Sequence, residues 1–293
     1  MTAFLCMATI YLIWGSTYLA MRIGVMPGSG FTPFTMAGTR LIVAGSLLLL
    51  ISKLKGNSIR TSVAELKHVL VSGILLWGTG HLIILWSAQY IDSGYTALII
   101  SSTPMWVLLM ESLIDRKYPD IRLIGLILTG LLGIILLLYP QMNSGSHLNM
   151  LSVFLIVIGS ISWGAGSMYM QRVHTKLSTI SYLGYQQLLA GVVIILLSLC
   201  LGDPMPSPTL SAFFAWGYLV IFGSIISLTA YLKVLKLLPL SVVMTTSYVN
   251  SMVAVTLGYI FLDEKITPMM LLGGCVVIVA VYGIIKRKKF KYA

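Results

Sequence analysis

Ten long apolar stretches follow one another along this chain with little between them, at roughly 3–24, 33–52, 68–90, 94–114, 121–140, 150–170, 180–201, 211–232, 241–262 and 268–286. A helix that crosses the ~30 Å hydrocarbon layer needs about 20 mostly apolar residues, and each stretch is near that length. Inside lipid the backbone must satisfy its own hydrogen bonds, so continuous runs of this kind fold as helices. A transmembrane β-barrel would alternate apolar and polar residues, and these runs do not alternate. With 58% hydrophobic and 9% charged residues among 293, the chain has no room for a separate soluble domain. The expected fold is an all-α polytopic membrane protein with ten transmembrane helices. Pro27-Gly28-Ser29-Gly30 closes the first link and Asp203-Pro204-Met205-Pro206 the seventh. Pro119, Pro239 and Pro268 fall at or near helix starts, where a missing N–H costs little.

The basic residues orient these spans. Lys53, Lys55, Arg60 and Lys67 occupy the second link, Arg116, Lys117 and Arg122 the fourth, Arg172 and Lys176 the sixth, and Lys233 and Lys236 the eighth. The tail adds Lys286, Arg287, Lys288, Lys289 and Lys291, so that 16 of the 19 Lys and Arg lie on one side and Lys265 alone in a link on the other. Basic links stay cytoplasmic, which puts both termini in the cytoplasm of a multi-pass protein of the inner, cytoplasmic membrane. The net charge of +11 is therefore a topology signal and not a nucleic-acid signal. The tail reads as a stop-transfer anchor. Met1-Thr2-Ala3 supplies no basic n-region, so the first run is expected to be a retained helix. Cys6, Cys200 and Cys275 all lie in apolar runs, where an odd number of thiols reads as apolar filler and not as a disulfide framework.

A repeat runs through the pattern. Ile13-Trp14-Gly15-Ser16-Thr17-Tyr18 returns in altered form as Ile161-Ser162-Trp163-Gly164-Ala165-Gly166, and an arginine, Arg22 or Arg172, follows each Trp-Gly pair. Arg40-Leu41-Ile42-Val43-Ala44-Gly45 resembles Gln187-Leu188-Leu189-Ala190-Gly191 within one residue. Asp115-Arg116-Lys117 before Gly125 resembles Asp263-Glu264-Lys265 before Gly273. Two halves of five spans each, 1–140 and 150–293, must enter the membrane in opposite senses. That is an inverted repeat, whose natural site lies at the midplane between the halves.

Tyr11–Tyr18, Met36–Arg40, Gly159–Trp163, Gly217-Tyr218, Phe222–Ile226 and Ser247–Asn250, in that order and spacing, resemble the EamA family of the drug/metabolite transporter superfamily, most of all its branch of YedA-like inner-membrane permeases. The resemblance covers nearly the whole chain. It implies ten helices in two inverted halves and the export of small metabolites such as amino acids. One departure stands out: the family often has Pro after the Asn of the ninth helix, where this chain has Ser251, while Pro104 occupies roughly the matching place in the first half. The two halves are expected to bend differently.

Few residues within the spans carry chemistry, and ionisable groups there by default face a cavity or a partner. Arg40, about two turns from the outer end of its helix, reads either as a tie to backbone carbonyls or as a fork for a substrate carboxylate. His81, after Gly78-Thr79-Gly80, sits near mid-membrane and can donate, accept or titrate. Arg22 is expected to snorkel, and Glu111 to pair with Lys117 or Arg116. Trp14, Trp77 and Trp163 are deeper than the interfacial belts where indoles gather, whereas Trp86, Tyr90 and Tyr95 read as the outer belt. Trp14 and Trp163 are expected to flank the pathway, with Gly15, Ser16, Thr17, Ser162, Thr103, Gln187 and Asn250 beside it.

No His-Glu-x-x-His, Gly-x-Ser-x-Gly or nucleotide-binding loop occurs, so neither enzyme chemistry, nor a metal, nor a cofactor is expected. The expected partners are a small-molecule substrate and the lipid bilayer, with no nucleic acid, and the chain is taken as a monomer. The favoured function is a secondary transporter or facilitator that exports small amphipathic metabolites by alternating access. A multidrug or cation exporter is the second reading, opposed by the lack of any acid in the first span. A non-transporting membrane scaffold is the third.

The charge bias generates a topology test. In a variant lacking the three native cysteines, single cysteines at 55 and 286 should react with an impermeant thiol reagent only after permeabilisation, and one at 147 should react in intact cells. Labelling of the tail in intact cells would overturn the orientation.

Overall fold

The computed structural model describes residues 2–116, 121–143, 150–238, 240–243 and 246–291, and these form helices with no strand among them. The helices are α1 (Thr2–Val25), α2 (Pro33–Leu54), α3 (Val63–Ser87), α4 (Ser93–Ile114), α5 (Ile121–Asn143), α6 (Met150–Arg172), α7 (Thr179–Cys200), α8 (Leu210–Leu237), the short α9 (Leu240–Val243), α10 (Thr246–Leu262) and α11 (Pro268–Lys291). Seven of them, α1 to α4 and α6 to α8, are long and apolar enough to cross a membrane. Shorter apolar stretches lie at Ile124–Gly133, Val249–Leu262 and Pro268–Ala280. The expected link at His147, together with Lys117, Pro119 and Pro239, falls outside the described residues.

Side-chain caps set several boundaries that hydropathy misses. The third apolar run was expected to begin at 68, but α3 starts five residues earlier. Ser62 accepts a hydrogen bond from the Glu65 backbone N–H while the Glu65 carboxylate accepts from that of Ser62, a reciprocal box that satisfies two otherwise orphaned donors. Thr32 and Thr35 do the same for α2, with Pro33 in its first turn. α4 is interrupted by a turn at Ser101 and Ser102, just before Pro104. α10 runs unbroken through Ser251, whose hydroxyl instead donates across to the Ala97 carbonyl of α4 at 2.7 Å.

α3 and α8 share a feature that no periodicity announced. Each contains a wide turn of eight residues with i→i+5 hydrogen bonding, Ile74–His81 in α3 and Leu219–Ile226 in α8. Such turns leave backbone carbonyls available to partners outside the helix.

The helices pack in a definite order. α2 lies against α7, α5 against α11, α1 against α8 and α10, and α6 against α3 and α4. Without a hydrophobic drive between helices in lipid, close backbone approach does much of this work. At the α2–α7 contact, a Cβ on Gly45 would stand 2.5 Å from the Leu188 nitrogen and 2.7 Å from the Gly184 oxygen. One on Gly191 would stand 2.7 Å from the Ile42 nitrogen and 2.9 Å from the Gly38 oxygen. These neighbours are backbone atoms and cannot rotate away. Gly45→Ala is therefore expected to destabilise the purified protein by roughly 1–3 kcal/mol, read as a lower melting temperature in detergent. Gly217→Ala, where a Cβ meets nothing within 4 Å, should leave it unchanged.

Candidate functional site

Between these helices lies a cavity of about 90 Å³, several times what one buried water requires. Its walls come from both ends of the chain. α1 contributes Trp14, Thr17, Tyr18 and Met21; α2 contributes Arg40; α3 contributes Trp77, His81 and Ile84; α4 contributes Ile100 and Thr103. α6 adds Ser160 and Trp163, α8 adds Tyr231, and α10 adds Thr246, Ser247 and Asn250.

An aromatic cluster forms one side. Trp14 meets Trp163 edge-on with ring centroids 5.6 Å apart and Tyr231 at 4.7 Å, and Trp77 meets Trp163 edge-on at 5.8 Å. Edge-on pairs set the positive rim of one ring against the negative face of the other. Each polar end also has a partner. Trp14 Nε1 donates to the Gly223 carbonyl at 3.2 Å, Trp77 Nε1 to Gln186 Oε1 at 3.3 Å, and the Tyr231 hydroxyl shares a 2.7 Å bond with Ser167. Gly223 is in the wide turn of α8, so that turn supplies the acceptor a deep indole needs.

Arg40 is the charged centre of the cavity and only 3% exposed. Its Nε donates to Ser224 Oγ at 2.7 Å and its Nη1 to His81 Nε2 at 2.8 Å, with the Trp77 ring 5.8 Å away. Arginine has no acceptor. His81 Nε2 must therefore be the acceptor, and the imidazole is the neutral tautomer with its proton on Nδ1. Arg40 is thus bonded to side chains of α3 and α8, where a backbone tie was one of the two expectations.

Of the residues picked out from the sequence, Trp14, Thr17, Arg40, Trp77, His81, Thr103, Trp163 and Asn250 lie on the cavity wall. Gly15, Ser16, Ser162 and Gln187 do not. A Cβ on Gly15 would stand 2.6 Å from that of Val253, so this glycine serves packing against α10. Ser16 bonds to the Tyr218 hydroxyl and to the Ile13 carbonyl. Ser162 bonds to Thr79 and to the Leu75 carbonyl. Gln187 donates to the Ser224 carbonyl. Tyr18, Ser160, Tyr231, Thr246 and Ser247 line the cavity without having been singled out as pathway residues. Glu111 is off the wall.

One rim of the helix bundle is tied by charge. Arg22 does not snorkel freely: it donates to the Ala88 carbonyl at 2.6 Å and stands 3.7 Å from Asp92. Glu264, ahead of α11, accepts from the backbone N–H groups of Ser93 and Gly94 at 2.8 and 3.0 Å and so caps α4. Tyr95, expected in the outer belt, is buried beneath this cap against Met270. At the other end Glu65 accepts from Thr175 and from the Lys176 backbone, and Arg172 pairs with Asp115 at 3.1 Å.

Membrane-length helices around an aromatic-lined cavity describe a multi-pass membrane protein of the transporter type. A model of the EamA-like transporter family matches this chain twice, over residues 1–139 and 150–286, and the chain belongs to that family. YedA of Escherichia coli (strain K12), described as an uncharacterized inner membrane transporter, is 36% identical over 253 residues, which is 85% of this chain and 79% of YedA. YoaV of Bacillus subtilis (strain 168), an uncharacterized transporter, is 22% identical over 94% of this chain and 93% of its own. A crystal structure of a further protein, 16% identical, shares the fold with a TM-score of 0.70 over 96% of both chains.

The rim yields a pH prediction. The Asp92 carboxyl lies above its ordinary range, pushed up first by burial and then by Glu264, with Arg22 opposing. An acid so raised holds its proton more tightly in the folded chain. Its stabilising contribution is therefore complete below the ordinary Asp value and is lost as pH rises through the raised one. Between about pH 4 and neutrality the melting temperature of Asp92→Asn should fall less, or rise more, than that of the parent; parallel curves would contradict the assignment.

Proposed function

We propose that this protein is a secondary transporter or facilitator that exports small amphipathic metabolites, amino acids or related compounds, across the cytoplasmic membrane by alternating access. The observation that carries the reading is the cavity, walled by Trp14, Arg40 and His81 from one half and Trp163, Tyr231 and Asn250 from the other. The halves are 1–140 and 150–293, each with five spans in the opposite sense to the other, and both termini are cytoplasmic.

Three observations support the repeat. The family model matches twice, once in each half. The packing pattern maps onto itself when α1 to α5 are exchanged with α6, α7, α8, α10 and α11: α2–α7 and α5–α11 are unchanged, while α1–α8 becomes α6–α3 and α1–α10 becomes α6–α4. The two wide turns, Ile74–His81 and Leu219–Ile226, fall in partner helices and align Gly78-Thr79 with Gly223-Ser224. Rocking of two such halves about a central site opens it to each side in turn.

Facilitation down the substrate's own gradient is favoured over proton coupling. Among the described residues no carboxylate lies on the cavity wall, and His81 is already the acceptor for Arg40. Protonating it would break that bond and set two cations side by side. The wall's charge also opposes export of cations.

Purified protein in lipid vesicles should support counterflow of at least one member of an amino-acid panel without an imposed pH difference. His81→Gln should retain it. Accumulation against a gradient driven by pH alone would exclude facilitation, and the absence of flux for every member would count against transport of this class.

A further inference from the structure

Arg40 carries a positive charge into the cavity, and among the described residues no acidic side chain meets it there. The chain has 8 Asp and Glu. Glu65 is held by Ser62, Thr175 and Lys176; Asp92 and Glu264 sit at the rim; Asp115 pairs with Arg172; and Asp203 accepts from Thr32 and Ser198. Glu111 and Asp263 are off the wall, and Asp120 lies outside the described residues. A guanidinium has five N–H donors. Among the described residues two are engaged, and both acceptors, Ser224 and neutral His81, are uncharged. A cation in the membrane interior without a counter-charge is costly, so the arrangement calls for an anion.

A second, independent observation points into the same space. Asn250, 4% exposed and on the cavity wall, has its side-chain carbonyl oxygen buried with no hydrogen-bond partner. Buried acceptors of this kind are rare and expensive to leave empty. One cavity therefore presents spare donors on a cation and a spare neutral acceptor, with indole faces beside them.

The other half supplies a contrast. The register set by Gly38 and Gly45 against Gly184 and Gly191 makes Gln186 of α7 the counterpart of Arg40. Gln186 is fully buried, accepts from Trp77 and donates to Ser72, and is not on this cavity's wall. An uncharged amide is enough to tie helices there. The charge at position 40 adds nothing to such a tie, but it suits a negatively charged visitor.

We propose that Arg40 seats the carboxylate of the substrate and that the Asn250 carbonyl accepts from its amino group, so that the cavity selects amino carboxylates over their amides and over cations. A planar fork of donors matches a carboxylate in shape as well as charge. The proposal rests on the transport reading and names the substrate class of the same cavity.

The test uses the full-length purified protein and its own tryptophan fluorescence, since Trp14, Trp77 and Trp163 line the cavity. The probes are the proteinogenic α-amino acids, followed, for each that binds, by its carboxamide and by the acid lacking the amine. At least one amino acid should bind, its amide about tenfold more weakly or worse, consistent with loss of a charge-assisted bond. Arg40→Gln should erase the preference for acid over amide, Arg40→Lys should keep part of it, and Asn250→Ala should erase the preference over the acid without the amine. Should Arg40→Gln fail to fold, the acid-to-amide ratio on the parent still decides. Equal binding of acid and amide, an unchanged ratio in Arg40→Gln, or no response to any amino acid would overturn the proposal. Counterflow of an uncharged compound or a cation in the absence of amino-acid binding would sink it while leaving transport standing; no flux of any compound tested would sink the transport reading as well.

Discussion

A buried guanidinium seven residues, roughly 10 Å, along α2 needs hydrogen-bond acceptors within reach, and that need orders the middle of this protein. Arg40 finds them on two other helices, in His81 of α3 and Ser224 of α8. Both acceptors stand in the wide turns of their helices. Gly223 completes the fit: a Cβ there would stand 3.2 Å from Nη2 and 3.3 Å from the Thr17 methyl. Backbone geometry in α3 and α8 and side-chain chemistry in α2 are therefore one constraint, and the Trp77 ring closes one wall beside the charge.

The same turns serve the neutral residues around the cavity. The carbonyls of Gly223 and Ser224 take the Trp14 indole and the Gln187 amide, and the Leu75 carbonyl takes the Ser162 hydroxyl. Acceptors are scarce in a helix whose carbonyls are all engaged along its own axis, and water is absent from lipid. Deep tryptophans and amides are tolerated here because two helices give up regular hydrogen bonding where those donors arrive.

The all-helical, multi-pass character was legible because a chain in lipid has one economical answer to backbone hydrogen bonding. The site was less legible, for a physical reason. In a soluble helix the apolar stripe tells which face turns inward, but here lipid and core are both apolar, so neighbours such as Ser16 and Thr17 cannot be sorted. Thr17 faces the cavity while Ser16 bonds to Tyr218. Charge and aromaticity at unusual depth did carry information, and Arg40, Trp14, Trp77, Trp163 and His81 were found by it. Tyr95 was misjudged because an aromatic near a polar link resembles a surface anchor, whereas tertiary packing leaves it at 3% exposure; Tyr231, at 1%, had no signal in the sequence to set it apart from its apolar neighbours. The caps that moved the start of α3, Ser62 with Glu65, were readable as a motif but lay upstream of the apolar run.

An i→i+5 turn is an α-helix carrying a surplus residue: its flanks keep their facing while the stretch between them swells. In α3 the buried Leu76 and Leu85 bracket the swelling that contains Gly78, Thr79 and Gly80. Deleting one residue there would let the helix close into a regular spiral with both leucines still inward. The rod would survive and the recess beside it would shrink. Chain length at this point is thus a dial for cavity size that is independent of side-chain identity, and relatives that differ by a single insertion or deletion in these two turns would hold differently shaped cargo in the same scaffold.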